Sequence, residues 1–369
     1  MKRGFLPAVS VLFCASCGVE PGEPAGTAAA IVPDTLIAVD SIGILMGDSD
    51  YTFGAIADFA PLEGGGVAVL DRIAERVSIY DGEGVFVRSF GRHGEAPGEF
   101  QWPASLCVLP SGTILVLEGA SGKVDVFDPA GVFMSSWTME GMGIYPMEVE
   151  AFDDSSFVSY NFSMDMDENG LSTLFTLWRY DAFTGGVRAR YVTWEAPASE
   201  STDFTEAFLV FATDGAGSVY LSRAASDRWM VEVFGAGESP ADTLLCFQDL
   251  PRVAVGSDSQ HVPGVPRISY MYQDTEQGNM ASGTTNLPEF MPFVAGLEVG
   301  PGGNLWALRG GPDARDWDEI TPGGEPVGIH HMALGDTSSV ILLEASASGG
   351  IYAFDAASED YHRLYRVEP

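Results

Sequence analysis

Short runs in which apolar and polar residues alternate follow one another along most of the chain, separated by turns rich in Gly, Asp and Pro. Such alternation is typical of a β-strand with one buried face. Two stretches carry the same pattern 47 residues apart: GGVAVLD at 65–71 matches GTILVLE at 112–118, and VSIYD at 77–81 matches VDVFD at 124–128. The constant offset indicates an internal repeat with several strands in each unit.

A repeat of this length, built from several short strands, predicts a β-propeller. Looser copies follow, so we expect an all-β fold: a six-bladed β-propeller of four-stranded antiparallel blades. A strand at 36–46, ahead of the first blade, would pair with the last blade and close the ring, because an open array leaves strand edges bare. The looser copies begin near residues 148, 207, 293 and 340.

One stretch of the repeat carries a family resemblance. The segment FGRHGEAPGEFQWP at 90–103, followed by PSG at 110–112 and VDVFD at 124–128, resembles an NHL-type repeat as found in bacterial six-bladed propellers. The resemblance covers residues 55–135. It implies the propeller fold and leaves the function open, since this fold hosts binding modules, scaffolds, lyases and lactonases.

The N-terminus is typical of an exported protein. Lys2 and Arg3 give a basic start, and residues 4–13 are mostly apolar but too few to span a bilayer. Residues 14–18, CASCG, resemble a bacterial lipobox, which implies cleavage before Cys17 and lipid attachment to its thiol. The next residue, Gly18, lacks the Asp that retains lipoproteins at an inner membrane. The alternative is an ordinary secretory leader with Cys17 as a free thiol.

These features divide the chain into three parts. We expect a lipoprotein signal peptide at 1–16, a flexible tether rich in Pro, Gly and Ala at 17–34, and the propeller at 35–369. No later stretch reaches the ~20 apolar residues of a membrane helix. The lipid would therefore be the only membrane contact of a protein in the cell envelope, facing the periplasm or the exterior.

The charge balance excludes one class of partner. The chain has 18 Lys and Arg residues against 52 Asp and Glu residues, which gives a formal net charge of −34. Such a surface repels phosphate backbones, so nucleic-acid binding is not expected. The acidic surface fits either general solubility in a saline medium or cationic partners.

Cys107 and Cys246 fall in the folded part and within apolar runs. A disulfide has to be considered in an exported protein. However, the repeat places the two residues in the second and fourth blades, too far apart to be bridged. We therefore predict two buried free thiols.

Residues 251–292 depart from the repeat, being long, polar and rich in Gly, Ser and Thr. Connections of this length are uncommon inside compact domains. The segment is either a lid or binding loop over one face, or a disordered insertion.

One end of the propeller would carry the ligand site, if there is one. The loops that join consecutive blades emerge on the same end as the loops between second and third strands. We expect five side chains around the channel there, although they could equally be ordinary solvated loop residues. They are Arg72, Arg92, His93, Trp102 and Arg315.

The segment DMDENG at 165–170 matches the first half of a calcium loop, with Asp165, Asp167 and Asn169 at alternate positions. The second half does not match, because Thr176 occupies the position of the bidentate Glu. Asn-Gly is also a strong hairpin signal. We therefore favour a hairpin turn over a metal site.

A metal held in the channel would need ligands that converge from the inner strands of different blades. The predicted inner strands are apolar enough that we expect no such cage and no cofactor. The adjacent His330 and His331 would point to opposite faces of a strand, so at most one could be a ligand. No nucleophile elbow, phosphate loop or Cys-x-x-Cys occurs in the propeller part.

The preferred interpretation is therefore a monomeric, lipid-anchored propeller that binds or scaffolds a protein, peptide or glycan without being an enzyme. The alternative is a metal-assisted hydrolase or lyase of lactone or ester type. Such an enzyme would use a divalent metal in the central channel, with Glu150, Glu298 and one of His330 or His331.

Overall fold

In the computed structural model, the regular secondary structure of the described residues is all β-strand apart from one 3₁₀ turn at Pro301–Gly303, which confirms the all-β prediction. No helix in the described residues is long and apolar enough to cross a membrane. The structure describes residues 33–119, 121–139, 144–167, 170–197, 203–247, 250–256, 262, 265, 269–273, 280–284, 287–311, 314–334, 341–345, 350–355 and 362–368.

The two units that share the 47-residue offset fold into two sheets with the same strand order. A first strand, β1 (Asp34–Ile42), precedes them. Sheet 1 consists of β2 (Ile56–Pro61), β3 (Val67–Asp71), β4 (Arg76–Tyr80) and β5 (Phe86–Phe90). Sheet 2 consists of β6 (Pro103–Val108), β7 (Ile114–Glu118), β8 (Lys123–Phe127) and β9 (Phe133–Thr138).

Two further antiparallel sheets of four strands follow in the chain. Sheet 3 consists of β10 (Tyr145–Asp153), β11 (Ser156–Asp167), β12 (Gly170–Asp181) and β13 (Val187–Pro197). Sheet 4 consists of β14 (Leu209–Thr213), β15 (Val219–Arg223), β16 (Val231–Phe234) and β17 (Asp242–Leu244).

The rest of the chain forms a hairpin and one large closing sheet. The hairpin pairs β18 (Ser269–Gln273) with β19 (Met280–Thr284). The later strands are β20 (Val294–Val299), β21 (Leu305–Arg309), β22 (Asp316–Ile320), β23 (Pro326–Met332), β24 (Ile341–Ala345), β25 (Ile351–Asp355) and β26 (Leu364–Glu368). The closing sheet has eight strands in the order β20-β21-β22-β23-β1-β26-β25-β24.

The count of six separate blades is corrected by this closing sheet. The described residues contain four separate four-stranded sheets, not six. The physical reason is β1, which pairs in parallel with β23 and antiparallel with β26 and so joins two groups of strands into one sheet. The predicted role of the early strand in closure is thus met, but through two partners.

The inner strands of the sheets surround a channel. In chain order β2, β6, β10, β14, β20 and β24 contact one another, and β24 contacts β2, which closes the ring. Two hydrogen bonds between neighbouring inner strands show that these strands begin at the same end of the channel. The Leu106 N–H donates to Asp58 Oδ2 (2.8 Å), and the Ser105 hydroxyl donates to the Pro146 carbonyl (3.4 Å). We call the end where the inner strands begin the mouth.

The core lies between neighbouring sheets. Strands β3 and β7 are buried at every position, because the next sheet covers each of their faces. Leu70 and Ile79 of sheet 1, for example, pack in one cluster with Leu106, Val116 and Phe127 of sheet 2. Burial of each such side chain stabilises the fold by about 1.5–3 kcal/mol.

The repeat also fixes the turns at the outer edge. Asp81 Oδ1 accepts the N–H groups of residues 83 and 85, and Asp128 Oδ1 accepts those of residues 130 and 132, all at 2.9 Å. The glycine three residues after each Asp has a positive φ, 74° at Gly84 and 81° at Gly131. The matching turns therefore follow from matching Asp and Gly positions.

Replacing Gly131 by alanine is expected to lower the free energy of unfolding by about 2–4 kcal/mol. The residue has a φ of 81°, and an added Cβ would lie 2.5 Å from Phe90 Cδ1. Gly64→Ala is the matched control, since Gly64 has a φ of 87° but no atom within 4 Å of an added Cβ. It should cost only about 1 kcal/mol. Urea midpoints measure both, and equal losses would contradict the steric contribution.

The second strands of sheets 1 and 2 end in buried acids at matching repeat positions. Asp71 accepts the N–H groups of Gly54, Ala55, Ile73 and Ala74 at 2.8–3.1 Å. Glu118 accepts the Gln101 N–H (2.8 Å), the Ser121 hydroxyl (3.0 Å) and Lys123 Nζ (3.1 Å). Each acid therefore holds, through hydrogen bonds, the segment that leads into the first strand of its own sheet.

Three further sequence predictions have different outcomes. Cys107 and Cys246 are buried free thiols, as predicted. Within 251–292 the described parts carry structure: β18 and β19 form a hairpin, and Val262, Val265 and Met291 pack into the cluster between sheets 3 and 4. A lid role for this segment stays a prediction. The signal peptide, Cys17 and nearly all of the tether lie outside the described residues.

Candidate metal centre in the central channel

Four inner strands share a β-bulge near their start, and this gives their residues common positions. The bulges lie between Ile56 and Asp58 in β2, Pro103 and Ser105 in β6, Pro146 and Glu148 in β10, and Val294 and Gly296 in β20. Because successive side chains of a strand point to opposite faces, residues two apart share one face. Residues at the same position relative to the bulge therefore lie at the same depth in the channel, and we group them into layers.

We call the first position after each bulge the upper layer. It consists of Asp58, Ser105, Glu148 and Gly296. The lower layer lies two residues further on and consists of Ala60, Cys107, Glu150 and Glu298. Glu344 and Ala212 join the lower layer, because each is the second-to-last residue of its inner strand, as Ala60, Cys107 and Glu298 are in theirs.

The lower layer brings three carboxylates together. Glu150, Glu298 and Glu344 each offer an oxygen, and these three oxygens lie within 4.8 Å of one another. They come from β10, β20 and β24, so the cluster exists only because the ring closes. Glu298 is 8% exposed, whereas Glu150 and Glu344 are half-buried.

No basic side chain of the described residues forms an ion pair with these three acids or with Asp58 and Glu148. Burial and mutual repulsion therefore act unopposed by a cation. Burial, and then the charge of Asp58, raises the pKa of Glu150 to about 8. Burial raises the pKa of Asp58 to about 7, although the Leu106 and Phe59 N–H groups favour its ionised form.

The other carboxyl groups of the channel respond in the same way. Burial, followed by repulsion from neighbouring acids, raises the pKa of Glu148, Glu298 and Glu344 well above the ordinary value. An N–H bond from Ala345 to Glu298 opposes this shift only in part. The five groups can all be ionised near neutral pH only if a cation joins them.

Cys107 faces the same channel without the character of a nucleophile. Burial first, and then the charges of Glu150, Asp58 and Glu344, raises the pKa of its thiol well above the usual value. A reactive cysteine needs a thiolate, which an electropositive setting favours. Cys107 is therefore a protonated thiol at neutral pH.

The donor set fits a hard divalent cation. Three carboxylates from rigid strands offer three to six oxygens, and Ca²⁺ and Mg²⁺ both prefer oxygen ligands. Ca²⁺ tolerates irregular geometry and six to eight ligands, whereas Mg²⁺ requires six in an octahedron. Both ions would leave coordination positions for water or a further ligand.

This cluster corrects the sequence interpretation of the channel. The prediction that the inner strands are too apolar for a ligand cage overlooked the convergence of Glu150, Glu298 and Glu344, and whether these acids hold a metal ion stays a prediction. Glu150 and Glu298 come together, as the alternative interpretation required. Glu344 was not predicted. It lies on β24 two residues after Leu342, and therefore on the same face of that strand.

The two histidines named in that alternative do not reach the channel. Both lie on β23, which is the fourth strand of the closing sheet when β20 is counted as the first. His330 Nε2 is 3.0 Å from Glu319 Oε2, and its ring stacks on Trp306 at 4.2 Å between centroids. His331 Nδ1 is 2.7 Å from Asp316 Oδ1. Strand position thus excludes them as ligands of this site.

The residues predicted for the ligand face lie in the expected loops. Arg72 is exposed, and the exposed His93 and Arg92 side chains pair with Glu75 (2.5 Å) and Glu99 (2.6 Å). Trp102 is 72% exposed. Arg315, by contrast, donates to the backbone carbonyls of residues 332 and 334. Whether these five side chains bind a ligand stays a prediction.

The weak calcium candidates lie at a hairpin. Asp165 pairs with Ser172 and Asp167 with Gly170 in the antiparallel ladder of β11 and β12, as the favoured interpretation expected. Asn169 lies outside the described residues.

Comparisons with known proteins concern the fold. No protein-family model matches the chain, and no curated protein matches it in sequence. A candidate exported protein from Bacteroides fragilis has a TM-score of 0.50 and 10% identity, with 92% of this chain and 97% of that one covered. The calcium-binding protein regucalcin from Agrobacterium tumefaciens has a TM-score of 0.47 and 9% identity over 91% and 97%.

Virginiamycin B lyase from Staphylococcus aureus, in its catalytically inactive form with quinupristin, has a TM-score of 0.46 and 12% identity over 89% and 99%. Identities this low concern the shape of the chain alone. The propeller arrangement therefore rests on the ring of inner strands, and no activity is transferred from these proteins.

Proposed function

We propose that this protein is an exported β-propeller whose channel binds one divalent cation between Glu150, Glu298 and Glu344. The observation that carries the proposal is the convergence of three carboxylate oxygens within 4.8 Å, from three inner strands. Holding three like charges so close is costly unless a proton or a metal ion neutralises them. A bound cation resolves this repulsion at neutral pH.

Ca²⁺ is the ion we favour. The carboxylates belong to strands whose spacing is set by the whole ring, and Ca²⁺ accepts irregular geometry where Mg²⁺ requires a near-ideal octahedron. Cys107 is not among the three clustered ligands. A soft metal such as Zn²⁺ is therefore less well served than a hard one.

In this proposal the metal-bearing propeller is a binding module. Cys17 would carry the lipid that holds it to the cell envelope, and the mouth would face a protein, peptide or glycan. The cation would stabilise the ring by linking sheet 3 with both ends of the closing sheet, so that the binding surface keeps its shape.

A second candidate is a metal-assisted hydrolase or lyase that acts on a lactone or ester. The observation that favours it is that Glu150 and Glu344 are only half-buried, so solvent reaches the cluster. A bound cation would supply Lewis acidity to a substrate carbonyl. Glu150, Glu298 and Glu344 would hold the ion.

Glu298→Gln is expected to weaken Ca²⁺ binding by about tenfold or more, because it removes one charged ligand from the cluster. Isothermal titration calorimetry of the full-length protein, after treatment with a chelator, measures the affinity. Glu63→Gln is the matched control, since Glu63 is exposed on the hairpin between β2 and β3 and loses the same charge. Its affinity should stay within about twofold.

Elemental analysis of the purified protein complements the titration. One mole of divalent ion per mole of protein, lost in Glu298→Gln and retained in Glu63→Gln, is the expected result. Absence of binding in calorimetry, or equal affinities in both variants, would refute the metal centre. Hydrolysis of lactones or esters that depends on the added cation and disappears in Glu298→Gln would favour the enzyme over the binding module.

A further inference from the structure

Two exposed aromatic rings stand at equivalent positions at the mouth. Trp102 precedes Pro103 at the start of β6, and Tyr145 precedes Pro146 in β10. Each aromatic residue thus comes directly before the proline at which the bulge begins. Trp102 is 72% exposed and Tyr145 is 42% exposed. Large aromatic side chains are usually buried, so two at one rim of the channel form a surface suited to a ligand.

The backbone holds Trp102 outward. Its φ is 56°, in the left-handed region that residues other than glycine rarely adopt. The Gly119 N–H donates to the Trp102 carbonyl at 3.0 Å, and the preceding residue, Gln101, donates its N–H to Glu118 at 2.8 Å. These hydrogen bonds, made by the Trp102 carbonyl and by the neighbouring Gln101, fix the backbone from which the Trp102 ring extends into solvent.

Tyr145 lies against the same glycine. A Cβ added to Gly119 would meet the Tyr145 ring at 2.8 Å from Cε2. Gly119 is therefore in contact with the Tyr145 ring and hydrogen-bonded to the Trp102 backbone. The two aromatic residues form one feature of the mouth, which we call the aromatic rim.

The upper layer of the channel lies directly behind this rim. Glu148 follows Tyr145 by three residues on the same strand, and Asp58 shares the layer through β2. Asp58 accepts two N–H groups, from Phe59 and Leu106. Glu148 forms no hydrogen bond or ion pair with the other described residues.

We propose that the aromatic rim and Glu148 bind the ammonium group of a small alkylamine. An organic cation gains from the faces of Trp and Tyr rings, and a desolvated carboxylate behind them supplies the counter-charge. An organic anion would meet five channel carboxylates and a net charge of −34. The site is separate from the lower-layer metal centre, so its failure would leave the proposed function standing.

The ligand is a small amine instead of a lysine on a folded partner. Glu148 lies inside the ring of inner strands and is half-buried, so a short flexible chain reaches it more readily than a side chain on a folded protein surface. A neutral sugar would use the rings but would have no need of the uncompensated carboxylate. The lysine alternative is an outcome of the experiment below.

The experiment titrates the full-length protein with n-butylamine at pH 7 in chelator, by calorimetry, with 1-butanol as the uncharged probe of the same length. We expect n-butylamine to bind at least about tenfold more tightly than 1-butanol. Trp102→Ala and Glu148→Gln should each weaken binding roughly five- to thirtyfold. Trp102→Phe should stay within about threefold of the parent, because a ring is kept.

Controls keep folding and metal binding apart from amine binding. Trp102→Gly removes the ring and relieves the left-handed backbone, so it should lose amine affinity while its melting temperature stays equal or rises. No metal ion contributes in chelator, and Glu63→Gln, which removes one exposed carboxylate outside the channel, should keep the amine affinity of the parent. Equal binding of n-butylamine and 1-butanol, or an affinity unchanged in Trp102→Ala, would overturn the proposal. At least tenfold tighter binding of an amidated Gly-Lys-Gly peptide would reassign the site to a protein partner.

Discussion

Cation-free protein is expected to melt at a higher temperature at pH 5 than at pH 8, by roughly 5 °C or more. The pKa values of Asp58 and Glu150 in the folded state are about 7 and about 8, above the ordinary values of 3.8 and 4.5. Between about pH 4.5 and 8 the folded protein therefore holds protons that the unfolded chain has already lost. The free energy of unfolding falls as the pH rises through this window.

Thermal melts in chelator across this pH range measure the effect. Glu150→Gln should flatten the pH dependence and raise the stability at pH 8, whereas Glu63→Gln should leave the slope as it is. That pair separates the channel from the general repulsion of an acidic surface. Added Ca²⁺ should restore stability at pH 8 and do little at pH 5, because it competes with protons for the same oxygens. A slope unchanged in Glu150→Gln would contradict the assignment.

Asp71→Ala is expected to lower the free energy of unfolding by about 3–5 kcal/mol, the largest loss we expect from one side chain. Asp71 is 1% exposed and accepts the N–H groups of residues 54, 55, 73 and 74. Alanine leaves these donors near the start of β2 without their acceptor. Urea unfolding measures the loss.

Asp71→Asn is the informative control. Asparagine keeps one carbonyl oxygen in place, and Asp71 Oδ1 alone accepts three of the four bonds. We expect it to lose about half as much stability as alanine does. A loss below about 1 kcal/mol in Asp71→Ala would show that the surrounding loops satisfy their donors without the carboxylate.

The sequence was most informative where the repeat is local. The matching glycines and aspartates at 81–84 and 128–131 predicted turns that do recur. Alternation also placed unit starts near residues 148, 207, 293 and 340, where the inner strands β10, β14, β20 and β24 lie. The pairing of β1 with the last blade was expected only from the need to close the ring, and its second partner, β23, was not predicted. These pairings join residues 296 (34 to 330) to 331 (37 to 368) positions apart, which no local window of the sequence can show.

The proposed metal centre illustrates a second limit of the sequence patterns. Glu298 and Glu344 are each the one charged residue of a mainly apolar strand, and Glu150 lies in β10 with Glu148 and Asp153, so no run alone predicts that the three acids meet. Their common position appears only when the strands are aligned by bulge and strand end. His330 and His331 drew attention as paired ligand-type residues, yet they lie on the wrong strand. For Trp102 the sequence predicted the exposed loop but not the backbone that holds the ring outward.

The position of β1 also sets an order for assembly during synthesis. Residues 34–42 are synthesised before every other described strand but can pair only after residues 326–332 and 364–368 have followed. For most of translation this stretch is an unpaired edge carrying the exposed apolar side chains Ile37 and Val39. The first of the described strands is thus among the last to be paired, and it needs protection from other chains until β23 and β26 have been made.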